Sequence, residues 1–69
     1  MKNMTTLTRA DFEKMTIYRF VTSERAFGFA DHAVKNMMVI LGDDDRYWVV
    51  TMANGERLLR AGYEVAPRI

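Results

Sequence analysis

Three consecutive aspartates, Asp43, Asp44 and Asp45, form the most conspicuous polar cluster in the chain. Carboxylate oxygens are the ligands that Mg²⁺ and Ca²⁺ prefer, so one interpretation is a divalent-cation site. A calcium loop, however, spaces its ligands around a central glycine and ends in a distal glutamate, and this stretch has no such pattern. The cluster therefore favours a solvated loop, with an acidic contact surface for a basic partner as the alternative. We expect no metal and no cofactor.

His32 is the only histidine, and imidazole is the side chain that titrates nearest to neutral pH. As a general base it would need a nucleophile and an orienting acid. Asp31 is its neighbour in sequence, but adjacent side chains on a helix point about 100° apart. Ser23 is the only serine, and the chain has no nucleophile elbow and no phosphate-binding loop. These observations predict a protein that is not an enzyme.

Basic residues along the chain offer a second kind of site, a nucleic-acid surface on which Tyr47 and Trp48 would stack on bases. Acidic residues are interleaved with them throughout, and the net charge is only +1. A nonspecific nucleic-acid binder usually carries a clear basic excess. We therefore expect a protein partner before a nucleic acid. The basic residues concerned are Arg19, Arg25, Lys35, Arg46, Arg57, Arg60 and Arg68.

Length and composition bound the architecture. A chain of 69 residues is one small domain, 1–69, whose core supplies a net stability of only about 3–5 kcal/mol. Cysteine is absent, which excludes disulfides and thiolate metal sites, so a homodimer or a partner subunit is the stabilising device that remains. No apolar run approaches the ~18 residues of a membrane span, and we expect a cytoplasmic protein. The polar residues 1–7 are expected to be frayed.

Local patterns predict the elements of the first half. Thr8 is an N-cap candidate with Asp11 three residues later, which indicates a short helix over 10–15 that packs Phe12 and Met15. Alternating β-branched and aromatic residues predict a strand over 16–22. Apolar residues at spacings of three and four then predict a helix over 24–35, capped by Ser23 and ended by Asn36. This apolar stripe consists of Ala26, Phe27, Ala30, Ala33, Val34 and Met37. Whether Gly28 allows close packing or breaks this helix stays open.

The stretch 36–50, NMMVILGDDDRYWVV, organises the chain. Two short apolar runs, 37–41 and 47–50, flank the polar loop 42–46, which predicts a β-hairpin. Successive residues of the second run are all apolar, so both faces of that strand are apolar. This strand is therefore either central in the sheet or in contact with a partner on one face.

Residues 51–62 fit two structures. The Asn54-Gly55 pair is a strong hairpin motif. Thr51 as an N-cap and Gly62 as a C-terminal glycine instead favour a helix, and Leu-Leu-Arg-Ala are good helix formers. We favour the helix, with a short edge strand after it. The order of elements predicts an α+β domain: a small, mainly antiparallel sheet of three to four strands, packed by two to three short helices on one face.

The block 33–64, AVKNMMVILGDDDRYWVVTMANGERLLRAGYE, resembles the body of small uncharacterised bacterial and prophage proteins. The resemblance covers about half of the chain and implies no functional residue. Where this chain has Met52-Ala53-Asn54, those proteins tend to have Pro-Ala-Asp, and a proline after Thr51 would suit a helix N-terminus. The chain is also similar in general type, though not in any motif, to phage-encoded inhibitors of bacterial defence, including anti-CRISPR proteins. Those inhibitors are commonly this small and cysteine-poor.

These observations together predict a non-enzymatic protein-binding module, in its specific form a phage or mobile-element inhibitor that acts by steric blockade. The alternative is a small nucleic-acid-binding regulator. We expect the hairpin to be the contact surface, because interfaces favour aromatic and arginine anchors. The residues expected to bind the partner are Asp43, Asp44, Asp45, Arg46, Tyr47 and Trp48.

Overall fold

In a computed structural model of the chain, residues 7–67 are described. They form three helices and four strands, as the α+β prediction requires. In chain order these are α1 (Arg9–Lys14), β1 (Tyr18–Phe20), α2 (Ser23–Asp31), β2 (Met37–Leu41), β3 (Tyr47–Thr51), α3 (Met52–Arg60) and β4 (Glu64–Val65).

The β2–β3 hairpin is the centre of a four-stranded antiparallel sheet with the order β1-β3-β2-β4. Val39 pairs with Val49, and Ile40 pairs with Trp48. The predicted hairpin is confirmed, and β3 lies between β1 and β2. Both faces of β3 are apolar because the strand is central in the sheet, which is the first of the two explanations predicted from the sequence.

Helices cover both faces of the sheet, so the prediction of helices on one face is wrong. On one face α1 and α3 enclose a cluster of buried residues: Met15, Ile40, Trp48, Val50 and Leu58. On the other face α2 encloses a second cluster: Ala26, Val39, Val49 and Ala66. Because successive residues of β2 and β3 are apolar, a sheet with one bare face would leave half of these side chains in water.

The ambiguous stretch 51–62 is a helix followed by its cap. The Thr51 hydroxyl accepts a hydrogen bond from the backbone N–H of Asn54 at 3.3 Å. Gly62 has φ of 105°, a left-handed conformation that glycine adopts without steric cost. The backbone N–H of Tyr63 then donates to the carbonyl of Leu58 at 3.0 Å, which also accepts from the N–H of Ala61, and this closes the C-terminal end of the helix. The preference for a helix is confirmed.

Helix α1 has the predicted cap. The backbone N–H of Thr8 donates to the Asp11 carboxylate at 3.0 Å, and the N–H of Asp11 donates to the Thr8 hydroxyl at 3.2 Å. The first of these bonds is the main cause that lowers the pKa of Asp11. The Asp11 carboxylate also pairs with Arg57 of α3 at 3.2 Å, which fixes α1 against its neighbour. Phe12 and Met15 pack on the first core cluster, as predicted.

Helix α2 differs from the prediction at both ends. Its N-cap is Thr22, whose hydroxyl accepts from the N–H of Arg25, and Ser23 is the first helical residue. The helix stops at Asp31 with His32 as its C-cap, well before Asn36. Because β2 already begins at Met37, residues 32–36 have to carry the chain from one layer to the next. Strand β1 is likewise shorter than the predicted 16–22.

Two short terminal segments, 1–6 and 68–69, lie outside the described residues. The prediction that residues 1–7 are frayed concerns mostly the segment 1–6. Arg68, one of the basic residues proposed for nucleic acid, lies in the segment 68–69. Leu7, the first described residue, packs against the core cluster on the α1 side. Within 7–67, no helix has the length and apolar character that crossing a membrane requires.

Candidate functional site

The acidic loop, residues 42–46, closes the β2–β3 hairpin. The backbone N–H of Gly42 donates to the carbonyl of Arg46 at 2.8 Å. Asp45 has φ of 64°, the left-handed region that aspartate tolerates better than most residues. The side chains at 43–46 are exposed, as a solvated loop predicts. The loop is not free of the fold, however, because two of its three carboxylates hold core side chains.

Asp44 holds the indole of Trp48. The Trp48 Nε1–H donates to one carboxylate oxygen at 3.0 Å, and the same oxygen accepts from the backbone N–H of Arg46 at 3.1 Å. The other oxygen lies 3.5 Å from Nε of Arg19, whose guanidinium lies 5.1 Å from the centre of the Trp48 ring. A Cβ at Gly42 would lie 2.3 Å from Trp48 Nε1, so glycine is what lets the indole reach Asp44.

Asp43 holds the ring of Tyr63, a residue that follows the C-terminus of α3. The Tyr63 hydroxyl donates to the Asp43 carboxylate at 2.8 Å. The pKa of Tyr63 is raised to about 12, first by burial and then by the hydrogen bond to Asp43 and the charges of Asp43 and Asp44. Tyr63 stacks on Trp48 with ring centres 5.3 Å apart, and Phe12 meets both rings edge-on. The loop therefore clamps an aromatic cluster.

The six residues predicted to bind a partner divide into two groups. Asp43, Asp44, Asp45 and Arg46 lie at the surface. Trp48 is only 3% exposed, so it does not reach the surface. Tyr47 packs on the opposite face, with the α2 cluster. The two rings lie on opposite sides of the sheet, and the base-stacking platform predicted for Tyr47 and Trp48 is therefore wrong.

The other chemical hypotheses find little geometric support in the described residues. The His32 ring Nδ1 lies 2.8 Å from the carbonyl of Gly28, a local contact at the end of α2, whereas Ser23 begins that helix. Within 7–67, no group of three or more His, Asp or Glu side chains converges as a metal site. Two of the cations proposed for nucleic acid, Arg19 and Arg57, pair with aspartates.

A second surface, which we call the edge groove, lies on the α2 side of the sheet, across the ends of β1, β3 and β2. The ring of Phe29 packs against Tyr18 and Phe20, with ring centres 4.7 and 5.3 Å apart. Val34 is fully exposed, Tyr18 is 43% exposed and Phe29 is 37% exposed. The groove encloses about 410 Å³ and is lined by Thr16, Tyr18, Phe29, Ala33, Val34, Lys35, Met37 and Thr51.

Sequence reasoning missed this surface. The apolar stripe predicted for α2 contained Ala26, Phe27 and Ala30, which do pack towards the sheet. Phe29 falls outside that stripe, and it is the residue that meets β1. A large aromatic residue beside the apolar stripe of a short helix was the available sign of a second apolar face. A helix that continues to residue 35 would include Val34 in the apolar stripe, but α2 ends at Asp31, and Val34 lies exposed in the connection to β2.

No protein-family model, curated protein or solved structure matches this chain. The resemblance of residues 33–64 to bacterial and prophage proteins therefore stays a prediction. The two surfaces of the chain that bear on its function are the acidic loop and the edge groove.

Proposed function

We propose that this chain is a non-enzymatic protein-binding module. The observation that carries the proposal is the edge groove, where two aromatic rings and a fully exposed valine lie together at one end of the sheet. Contiguous exposed apolar groups rimmed by polar residues are typical of protein interaction sites, and aromatic residues are enriched there. In a chain this small, the same groups would otherwise be expected to add to a scarce core.

The acidic loop supports the same function in a different way. Asp43 and Asp44 are fixed by hydrogen bonds to Tyr63 and Trp48, so their charges are held in defined positions at the tip of the hairpin. Fixed charges at an interface increase the association rate and select partners of opposite charge. The loop thus supplies a pre-organised acidic surface, and the edge groove supplies apolar contact area.

The specific form that we propose is a phage or mobile-element inhibitor of a bacterial defence complex, which acts in the cytoplasm by steric blockade as anti-CRISPR proteins do. Its support is the similarity of type: small size, absence of cysteine and the lack of a catalytic motif. A blocking protein needs only a rigid shape and a contact surface. The sheet covered on both faces provides the first, and the two surfaces described above provide the second.

The test is a pull-down of the tagged chain from bacterial lysate, with and without nuclease, read by mass spectrometry. We expect a stoichiometric protein partner that survives nuclease and is lost with Val34→Glu, which places a charge in the groove. Val65→Glu is the matched control, because Val65 is also exposed and lies in β4, at the opposite edge of the sheet. Recovery of nucleic acid, with the proteins lost on digestion, would instead establish the alternative of a nucleic-acid-binding regulator.

A further inference from the structure

The two edges of the sheet differ in whether another strand can add to them. At the β4 edge, the N–H of Ala66 donates inward to the carbonyl of Val39 at 2.9 Å, so Val65 and Pro67 on either side of it face outward. Proline has no N–H to donate, and β4 is only two residues long. At the other edge, β1 pairs with β3 on one side, and no strand within the described part of the chain pairs with its outer side. The outer side of β1 is therefore where the sheet can be extended.

The hydrogen-bond pattern of the hairpin identifies the backbone groups of β1 that face outward. The N–H of Gly42 donates to the carbonyl of Arg46 at 2.8 Å, and bonded and non-bonded pairs alternate along an antiparallel ladder. Trp48 is therefore bonded to β2, whereas the residues on either side of it direct their N–H and C=O groups to β1. Arg19 lies opposite Trp48, so the N–H and C=O of Arg19 point away from β3, to the outer side of β1.

The sequence around Arg19 is symmetric in residue class. The strand and its flanks read TIYRFVT, with Arg19 at the centre. Tyr18 and Phe20 are the aromatic residues on either side, Ile17 and Val21 are the β-branched aliphatic residues beyond them, and a threonine follows at each end. If two copies of this strand pair antiparallel about a two-fold axis at Arg19, each residue therefore meets a residue of its own class: Tyr18 lies opposite Phe20, and Ile17 lies opposite Val21.

The pairs that this symmetry creates are of the kind that stabilises antiparallel strands. Tyr18 is 43% exposed and Val21 is 64% exposed, so both have apolar surface to bury. Tyr18 and Phe20 lie on the same face of the sheet, where both pack against Phe29. In the two-fold arrangement they form non-bonded pairs beside the bonded pair at Arg19, and side chains of non-bonded pairs approach most closely. Aromatic and β-branched cross-strand pairs of this type are favourable.

Arg19 is the position at which the arrangement brings like charges together, and its surroundings reduce that cost. The Arg19 guanidinium lies 5.1 Å from the centre of the Trp48 ring, and its Nε lies 3.5 Å from the Asp44 carboxylate. Since Trp48 belongs to β3, the Arg19 side chain extends over β3 and away from the outer side of β1. Asp44 also offsets its charge. A charge that protects an edge strand against pairing would instead extend over the open edge.

We propose that two copies of this chain pair through β1, antiparallel about a two-fold axis at Arg19, so that two four-stranded sheets become one sheet of eight strands. The same surface is used by both copies, as a two-fold contact requires. The pairing supplies a chain of 69 residues without cysteine with a stabilising subunit. Because the axis is perpendicular to the sheet, both edge grooves lie on the same face of the dimer. This inference is independent of the proposed function.

The first test is sedimentation of the intact chain over a wide range of concentration, where we expect a reversible equilibrium between monomer and dimer. Val21→Lys should weaken the association about tenfold or more, because two-fold symmetry places the new charge opposite Ile17 at two contacts. Val65→Lys is the matched control at the β4 edge and should leave the association unchanged. Val21 and Val65 are 64% and 51% exposed, so neither change is expected to unfold the chain.

The register is tested by amide hydrogen exchange measured residue by residue with NMR. The N–H groups of Tyr18 and Phe20 are bonded to β3, so they should be protected at every concentration at which the chain is folded. The N–H of Arg19 should exchange rapidly in dilute solution and become protected at concentrations that give the dimer. In Val21→Lys the Arg19 N–H should continue to exchange rapidly at the same concentrations.

Three results would overturn the inference. One is a monomer at all concentrations, and another is a dimer that Val21→Lys leaves intact. The third is a dimer in which the Arg19 N–H still exchanges rapidly and which Val34→Glu dissociates, because the second copy would then occupy the edge groove. A pull-down that yields no protein partner would contradict the proposed function and would leave the dimer unaffected.

Discussion

At the residue scale, Trp48 explains why the acidic loop has its composition. A buried indole needs an acceptor for its N–H, and the first available acceptor is the Asp44 carboxylate four residues earlier. The negative charge of Asp44 then holds Arg19 over the indole ring, where cation and π-system attract. Asp44 has the sequence context of a solvated loop residue, but its carboxylate holds the buried Trp48 side chain in place.

Asp44→Ala is expected to lower the free energy of unfolding by about 1–3 kcal/mol, the usual cost of leaving a buried donor without its acceptor. Asp45→Gly is the control, because it also removes a loop carboxylate but keeps a residue that accepts the left-handed backbone of position 45. Urea denaturation followed by tryptophan fluorescence measures both. Equal stability of Asp44→Ala and the unchanged chain would mean that Asp44 does not hold Trp48.

The raised pKa of Tyr63 leads us to expect that the free energy of unfolding falls at high pH. Its hydroxyl is ordinarily half-ionised at pH 10, and in the folded chain its pKa is raised to about 12 by burial and by Asp43. The unfolded chain therefore releases this proton first. The resulting stabilisation is fully present below pH 10 and is lost as the pH rises towards 12.

Urea denaturation at several pH values between 9 and 12 measures this loss. Tyr63→Phe should reduce the slope of the free energy of unfolding against pH, because it removes the titrating hydroxyl. Tyr18→Phe is the control and should preserve that slope. The slope of the unchanged chain contains other titrations, so the comparison between the two variants is the decisive quantity. An identical slope in Tyr63→Phe would contradict the assignment.

At the element scale, the parts of the fold that local chemistry determines were predictable. The hairpin follows from two apolar runs around a polar turn, and α3 follows from Thr51, the helix formers and Gly62. The end of α2 was not predictable in the same way, because apolar spacing continues past Asp31 while the chain has already turned towards β2. The face on which each helix packs also depends on contacts between distant segments, which periodicity does not report.

Two glycines in helices should respond to alanine in opposite directions. At Gly28 of α2, a Cβ would meet no atom within 4 Å, so Gly28→Ala should stabilise the chain by about 0.5–1 kcal/mol through lower backbone entropy in the unfolded state. At Gly55 of α3, a Cβ would lie 2.4 Å from Sδ and 3.1 Å from Cβ of Met38, so Gly55→Ala should destabilise the chain. Thermal unfolding of the two variants tests the contrast. A rise in Tm for both would mean that α3 does not approach β2 as closely as described.

At the scale of the whole molecule, a thin sheet with a cluster on each face gives many contacts from few residues. The two clusters share β2 and β3, since Val39 and Val49 point to one face and Ile40 and Val50 to the other. Loss of packing on one face therefore also weakens the strands that support the other. We expect a single cooperative unfolding transition. We also expect a total stability so small that the loss of one core side chain unfolds much of the protein.

Leu58 and Leu59 test this expectation as neighbours of the same type in α3. Leu58 is fully buried, and Leu59 is partly buried against the same cluster. A buried Leu→Ala change costs about 2–5 kcal/mol, whereas the whole domain has about 3–5 kcal/mol. Leu58→Ala should therefore leave a large unfolded fraction at 25 °C, and Leu59→Ala should remain folded with a smaller loss. Near-ultraviolet circular dichroism of Trp48 and Tyr63 reports whether the aromatic cluster survives. If Leu58→Ala keeps that signal and Leu59→Ala loses it, α3 packs on the sheet through a different face from the one described.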